Sequence, residues 1–219
     1  MSRALLLDAG NTIVFLDHGA VAEVLGLPAA AVKAAEPVAK RRYERTLREG
    51  KSHGDGWRVF AAELARAAGV ASEVEGAVDA LWAEHRRFNL WRRVPEGFRD
   101  GLDRARALGF RIGVVSNSEG KLDALFEAVG LGGVFEVIVD SHHAGVRKPD
   151  PAIFAMALTA LHCEAEQSWY AGDLPDVDVV GARAAGLNAA LIDPLDHYAG
   201  YEDAPRFPSV NALVDFLSR

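Results

Sequence analysis

The sequence has one cysteine in 219 residues, Cys163, so no disulfide can form within the chain. It has no apolar run near the roughly 18 residues that a membrane-spanning helix needs. The first such run, Leu5–Leu7, stops at the charged Asp8 and is also too short for the core of a signal peptide. Positive charge is not in excess: 24 Lys and Arg face 31 Asp and Glu, for a net charge of −7. Nucleic-acid binding rests on neutralising phosphates with Lys and Arg, so it is not expected. Internal repeats and low-complexity tracts are missing too. What these absences leave is an ordinary cytoplasmic globular protein with no membrane and no nucleic-acid partner. Half of its residues are hydrophobic and a quarter are charged, and Cys163 is expected to be a packed thiol. The length suits one α/β domain carrying a smaller insert.

What is present divides the chain in two. From residue 94 onward helices and strands alternate. Residues 96–108 predict an amphipathic helix closed by Gly109, RIGVVS (111–116) a strand, 119–129 a helix stopped by Gly130, and EVIVD (136–140) a strand. Asp150 and Pro151 suit the N-cap and first position of a helix running to about His162. SWYAGD (168–173) and NAALID (188–193) are strands on either side of a helix over 176–185, and 209–218 is a last helix. RALLLD (3–8) supplies one more strand, while 194–208 reads as a surface excursion. Short apolar strands separated by helices predict an α/β fold: a Rossmann-like parallel sheet with helices on both faces. Residues 16–93 break the rhythm, with helices near 19–26, 29–50, 56–68 and 72–90 and almost no strand signal. The expected organisation is a core domain over 1–15 and 94–219, with an all-helical domain over 16–93 inserted after the first strand.

Charge follows the same division. Residues 16–93 hold 13 basic and 11 acidic side chains, and the remainder holds 11 and 20. Two basic runs, Arg41, Arg42, Arg45, Arg48 and Lys51, then Arg86, Arg87, Arg92 and Arg93, read as solvated helix faces. Alternatively, they form a basic lid that draws an anion toward an acidic core.

In an open parallel sheet, ligands bind beyond the carboxyl ends of the strands. The first strand ends at Asp8, followed by Ala9-Gly10-Asn11-Thr12; the strand over 111–115 ends at Ser116-Asn117. A loop carrying Arg147-Lys148-Pro149 follows 136–140, and the strand over 168–172 ends at Asp173, with Asp176 and Asp178 close behind. Asp8 and Asp173 could supply carboxylates to a magnesium ion, with Asp178 orienting a ligand water. Lys148, the Ser116 hydroxyl and the Asn117 amide could hold the charged oxygens of a phosphoryl group while Asp8 attacks phosphorus. Read singly, each group has a structural role instead: Ser116-Asn117-Ser118 as an N-cap cluster, Lys148 as a surface lysine, Asp176 and Asp178 as complements to a helix dipole. Asp150 and Asp176 are assigned to the structural roles. All four groups, in order at strand ends, favour the chemical reading.

In this arrangement the sequence resembles the haloacid dehalogenase superfamily, in its phosphatase-like branch with a cap in the first insertion position. The matching segments are LLLDAGNT (5–12), GVVSNS (113–118), GVRKPDPAIF (145–154) and WYAGDLPDVDVVGARAAGL (169–187). The resemblance implies a Mg2+-dependent hydrolase that removes phosphate from a small phosphorylated metabolite through an aspartyl-phosphate on Asp8. It further implies Asp8, the Gly10 carbonyl, Asp173 and Asp178 on the metal side, Ser116 and Lys148 on phosphate, and a helical cap over 16–93 that selects the substrate.

One departure matters. Family phosphatases usually carry a second Asp two residues after the nucleophile, as general acid and base, and here that position is Gly10. Asp17 or His18 could substitute. The Gly admits rivals: a metal-free 2-haloacid dehalogenase, a phosphonate hydrolase using Lys33, Lys40 or Lys51, or a weakly active binding module. The carboxylates Asp173 and Asp178 favour metal and phosphate. His53, Trp57, Arg41, Arg45 and Trp91 are candidates to reach a substrate, and the chain is expected to be a monomer or homodimer.

Overall fold

The computed structural model describes residues 2–49 and 53–219. In chain order the elements are β1 (Arg3–Leu7), β2 (Phe15–Leu16), α1 (His18–Leu25), α2 (Ala29–Arg48), α3 (His53–Ala68), α4 (Val74–Arg87) and β3 (Trp91–Arg93). There follow α5 (Phe98–Ala107), β4 (Phe110–Ser116), α6 (Leu122–Ala128), β5 (Val137–Asp140), α7 (Ser141–Ala144) and α8 (Pro151–Leu161). The last are β6 (Trp169–Gly172), α9 (Val180–Ala184), β7 (Asn188–Ile192), β8 (Arg206–Phe207) and α10 (Val210–Leu217). The chain divides into two compact units, one of residues up to Phe15 with Arg92–Arg219, the other Leu16–Trp91.

The first unit is an α/β sandwich around a six-stranded sheet of order β5-β4-β1-β6-β7-β8, with parallel pairing throughout. Register sets Leu5 beside Ile112 and Trp169, and Leu7 beside Val114 and Ala171, so the carboxyl ends of β1, β4 and β6 lie level. Side chains alternate across the sheet. Ala4, Leu6, Val115, Tyr170 and Leu191 pack with Ile153, Phe154, Ala157, Leu158 and Leu161 of α8. Leu5, Leu7, Ile112 and Val114 are buried on the opposite face, where α5 lies against β4 and α10 against α5. Strand order reverses direction on either side of β1. That makes the end of β1 the switch point at which open α/β sheets bind ligands.

The second unit holds α1 to α4 around its own core, built from Val21, Val32, Ala35, Ala39, Phe60, Leu64, Val78 and Leu81. Tyr43, Trp57 and Trp91 pack against that core, with Trp57 edge-on to Trp82 at 4.7 Å and Phe60 5.2 Å from Trp91. Arg41, Arg42, Arg45 and Arg48 are exposed on α2, as solvated faces require. Lys33 is exposed and Lys40 buried, while Lys51 lies outside the described residues.

Several details differ from the sequence expectation. In place of one α-helix over 176–185, a π-helical turn spans Pro175–Val179 and α9 is only Val180–Ala184. Such π-turns recur at functional sites. The excursion over 194–208 contains β8, joined to β7 through Leu191 N to Pro205 O and Asp193 N to Phe207 O. The carboxylate of Asp193 ties the excursion down by accepting from His197 N, Tyr198 N and Arg206. The short α7 and the separate two-stranded ribbon of β2 and β3 had no signal in the sequence.

Candidate active site

β1 brings Asp8 to the edge of the sheet, where its N–H bonds to Ala171 O at 2.8 Å and its side chain is almost wholly buried. Two donors converge on Asp8 Oδ1: the Ser116 hydroxyl at 2.8 Å from the end of β4, and Lys148 Nζ at 2.6 Å from the loop before α8. Lys148 also donates to Asp178 Oδ1 and to the Tyr170 hydroxyl oxygen, both at 2.7 Å. Its three ammonium hydrogens are therefore all engaged. Tyr170, fully buried, donates in turn toward Val115 O at 2.9 Å, with Asp178 Oδ1 at 3.0 Å.

Asp178 reaches this cluster because the π-turn swings it back over the end of β6, where its Oδ2 accepts from Leu174 N at 2.9 Å. Gly172 permits the approach: a Cβ there would lie 2.3 Å from Asp178 Cγ. Gly181 plays a similar part for the lysine loop, since a Cβ there would meet Pro149 backbone at 2.9 Å. The turn after Asp8 is closed by Asn11 N to Val14 O and Val14 N to Ala9 O, a bridge in which the Gly10 carbonyl takes no part. Oxygen atoms of Asp8, Asp173 and Asp178 all lie within 4.8 Å of one another, and all three residues are buried.

Burial sets the electrostatics. Removal from water, followed by the nearby Asp178 and Asp173, raises the Asp8 carboxyl from 3.8 to about 6 against the opposing pull of Lys148. Burial alone would lower the Lys148 ammonium, yet Asp178 and Asp8 outweigh it and hold the amine above its ordinary value. Burial and the same carboxylates push the Tyr170 hydroxyl well above 10, so it stays neutral. Buried like charges and one lysine make a set that a cation would complete, and carboxylate oxygens are the donors a hard divalent cation takes.

The structure thus brings together Asp8, Ser116, Lys148, Asp173 and Asp178. Asn117 is nearby in another capacity. Its side chain accepts from Lys148 N at 2.8 Å and donates to Lys148 O at 3.0 Å, so the amide expected to hold phosphate holds the backbone of the lysine. Nor do Ser116, Asn117 and Ser118 cap the next helix, whose N-cap is Lys121. Asp150 caps α8 through Ala152 N, and Asp176 is exposed. Asp17 and His18 lie at the entry to the helical unit. Asp17 is the N-cap of α1, accepting from Ala20 N at 3.1 Å, and His18 Nε2 pairs with Glu36 Oε2 at 2.7 Å.

Two residues of the site were not singled out from the sequence. Tyr170 reads as one more apolar strand residue, and its value as an acceptor emerges only from the register that sets β6 beside β1. Asn11 donates through Nδ2 to Asp173 Oδ2 at 3.0 Å, and its φ of +56° is left-handed. An Asn in a tight turn was the one available signal.

The family profile of haloacid dehalogenase-like hydrolases matches residues 2–186. The bovine haloacid dehalogenase-like hydrolase domain-containing protein 3 is 30% identical over 208 residues, covering 91% of this chain and 82% of that protein. A phosphoserine phosphatase of Thermus thermophilus is 34% identical over 137 residues, 62% of this chain, and the matched part spans 53% of its length. Among solved structures, the HAD-hydrolase YfnB of Bacillus subtilis, bound to magnesium, aligns with a TM-score of 0.68 at 20% identity over 100% of this chain and 99% of that one. A 2-haloacid dehalogenase of Pseudomonas syringae aligns with a TM-score of 0.60 at 20% identity, again over 100% and 99%. At such identities the structural likeness establishes the fold.

Proposed function

The chain belongs to the haloacid dehalogenase-like hydrolases, and on that premise we propose that it is a magnesium-dependent phosphatase of a small phosphorylated metabolite, with Asp8 as nucleophile. The observation that carries this reading is the convergence of Lys148 and Ser116 on Asp8 Oδ1. Both donors fix the carboxylate from one side and leave Oδ2 for attack. Relatives named as phosphatases support the choice of phosphate over a carbon centre. So does a cluster of three carboxylates, which would repel a carboxylate substrate.

In this mechanism Asp8 Oδ2 attacks phosphorus, the ester P–O bond breaks, and the alcohol departs from an aspartyl-phosphate. Water then attacks phosphorus, the bond to Asp8 breaks, and inorganic phosphate and the free carboxylate are restored. Once substrate is bound, Lys148 and Ser116 turn their hydrogens from Asp8 Oδ1 to the equatorial oxygens, while Asn117 and Tyr170 keep Lys148 in place through its backbone and its ammonium. Asp8, Asp173 and the Gly10 carbonyl are the ligands suited to magnesium. Asp178, whose two oxygens accept from Lys148 and Leu174, suits a ligand water. Magnesium held there would neutralise charge on the substrate phosphate. Gly10 offers no acid, so the leaving alcohol takes its proton from water. The helical unit is assigned the part of a cap that selects the substrate.

The test is phosphate release from p-nitrophenyl phosphate and a panel of phosphorylated metabolites, with magnesium or EDTA, beside Asp8→Asn. Release that needs magnesium and disappears in the variant is expected. Halide release from 2-haloacids with no phosphate release from any ester would overturn the assignment.

A further inference from the structure

Asn11 occupies a left-handed position, φ +56°, that few side chains other than Asn or Asp adopt without strain. Glycine would meet the same backbone demand more cheaply. What Asn adds over glycine is its side chain, and that side chain reaches 3.0 Å from Nδ2 to Asp173 Oδ2. The bond ties the turn after β1 to the end of β6, joining the two segments that carry Asp8 and Asp173. The turn itself is closed independently by backbone bonds, Asn11 N to Val14 O at 2.8 Å and Val14 N to Ala9 O at 3.0 Å. Closure of the turn therefore does not depend on the amide.

The orientation of a buried carboxylate is set by the groups that hold its oxygens, and Asn11 is one that holds Oδ2 of Asp173. Ligating carboxylates are commonly hydrogen-bonded by a second residue that fixes their orientation. We propose that Asn11 is a positioning residue for the metal ligand Asp173. By holding Oδ2 it fixes the carboxylate rotation that keeps Asp173 within 4.8 Å of the oxygens of Asp8 and Asp178. This inference rests on the metal-dependent reading above and adds to it a residue outside the set of ligands.

Asn11→Gly isolates the effect, because it keeps the left-handed backbone and deletes only the amide. Mn2+ binding to the full-length protein, followed by electron paramagnetic resonance titration, is expected to weaken by about 10- to 100-fold in Asn11→Gly. Metal-free thermal unfolding is expected to stay within a few degrees of the parent. Turnover of p-nitrophenyl phosphate is expected to return at saturating metal, since the ligands themselves are intact. Unchanged Mn2+ affinity in the variant would overturn the proposal while leaving the metal reading standing. Weakened affinity accompanied by a collapse of the metal-free transition would overturn it in favour of a purely structural role. If the parent protein bound no Mn2+, the metal reading would fail and the proposal with it.

Discussion

The two units of this protein treat buried charge in different ways. At the carboxyl edge of the sheet, Asp8, Asp173, Asp178 and Lys148 are buried together in a network whose members hold one another. In the helical unit the core is apolar and aromatic, with Tyr43, Phe60, Trp57 and Trp91 packed about aliphatic residues, and its buried charges, Glu36, Lys40 and Glu44, are spread along α2 among exposed arginines. Burying several carboxylates beside one lysine does not improve stability over an apolar core, and it makes each member sensitive to loss of its partner. The sheet edge gathers its buried charges at one point, whereas the helical unit packs mainly apolar and aromatic side chains. Removing a group from each should therefore give effects of different kind.

The largest effect is expected at Lys148. Lys148→Met leaves Asp8 and Asp178 buried without their cation, and should destabilise the metal-free protein by about 3–5 kcal/mol in urea unfolding, with phosphatase turnover abolished. Asp8→Asn should do the opposite to stability. The folded-state value of Asp8 is raised from 3.8 to about 6, so its contribution is fully present below about pH 4 and lost as pH rises through 6. In EDTA the variant should therefore gain on the parent across that window, by up to about 3 kcal/mol above it. Parallel unfolding curves for the two proteins from pH 4 to pH 7 would remove this account of Asp8.

A smaller effect is expected at Tyr170. Tyr170→Phe keeps the ring but leaves one ammonium hydrogen of Lys148 unpaired, which should lower stability by about 2 kcal/mol and kcat more than KM. A change in KM alone would mean that the hydroxyl does not act through the lysine. The smallest effect is expected in the helical unit. Trp57→Phe should lower stability by about 0.5–1.5 kcal/mol through its contact with Trp82 and leave turnover of p-nitrophenyl phosphate unchanged. A large loss of that turnover would break the division between the two units.

Much of this was legible in the sequence because it rests on strand ends and local punctuation. Asp8, Ser116 and Asp173 each follow a short apolar run that, alternating with helical segments, reads as a buried strand, and Asp150-Pro151 marks a helix start that the structure uses. Other features depend on contacts between distant segments. The π-turn at Pro175–Val179 places Asp178, but pattern alone reads those residues as an ordinary helix. Asn117 carries the chemistry of a phosphate donor, and only the approach of the lysine loop to β4 turns its amide toward the backbone of Lys148. Two residues of β8 are too few to show a period, so that strand reads as loop.

The central claim is that Asp8 carries the phosphoryl group, and the most direct test is to catch it there. Protein mixed with magnesium and p-nitrophenyl phosphate, quenched during turnover and reduced with borohydride, should yield homoserine from phosphorylated Asp8 in the peptide that contains it. The expected result is that conversion at residue 8 alone, absent without substrate. Sustained phosphate release with Asp8 unmodified would contradict the account.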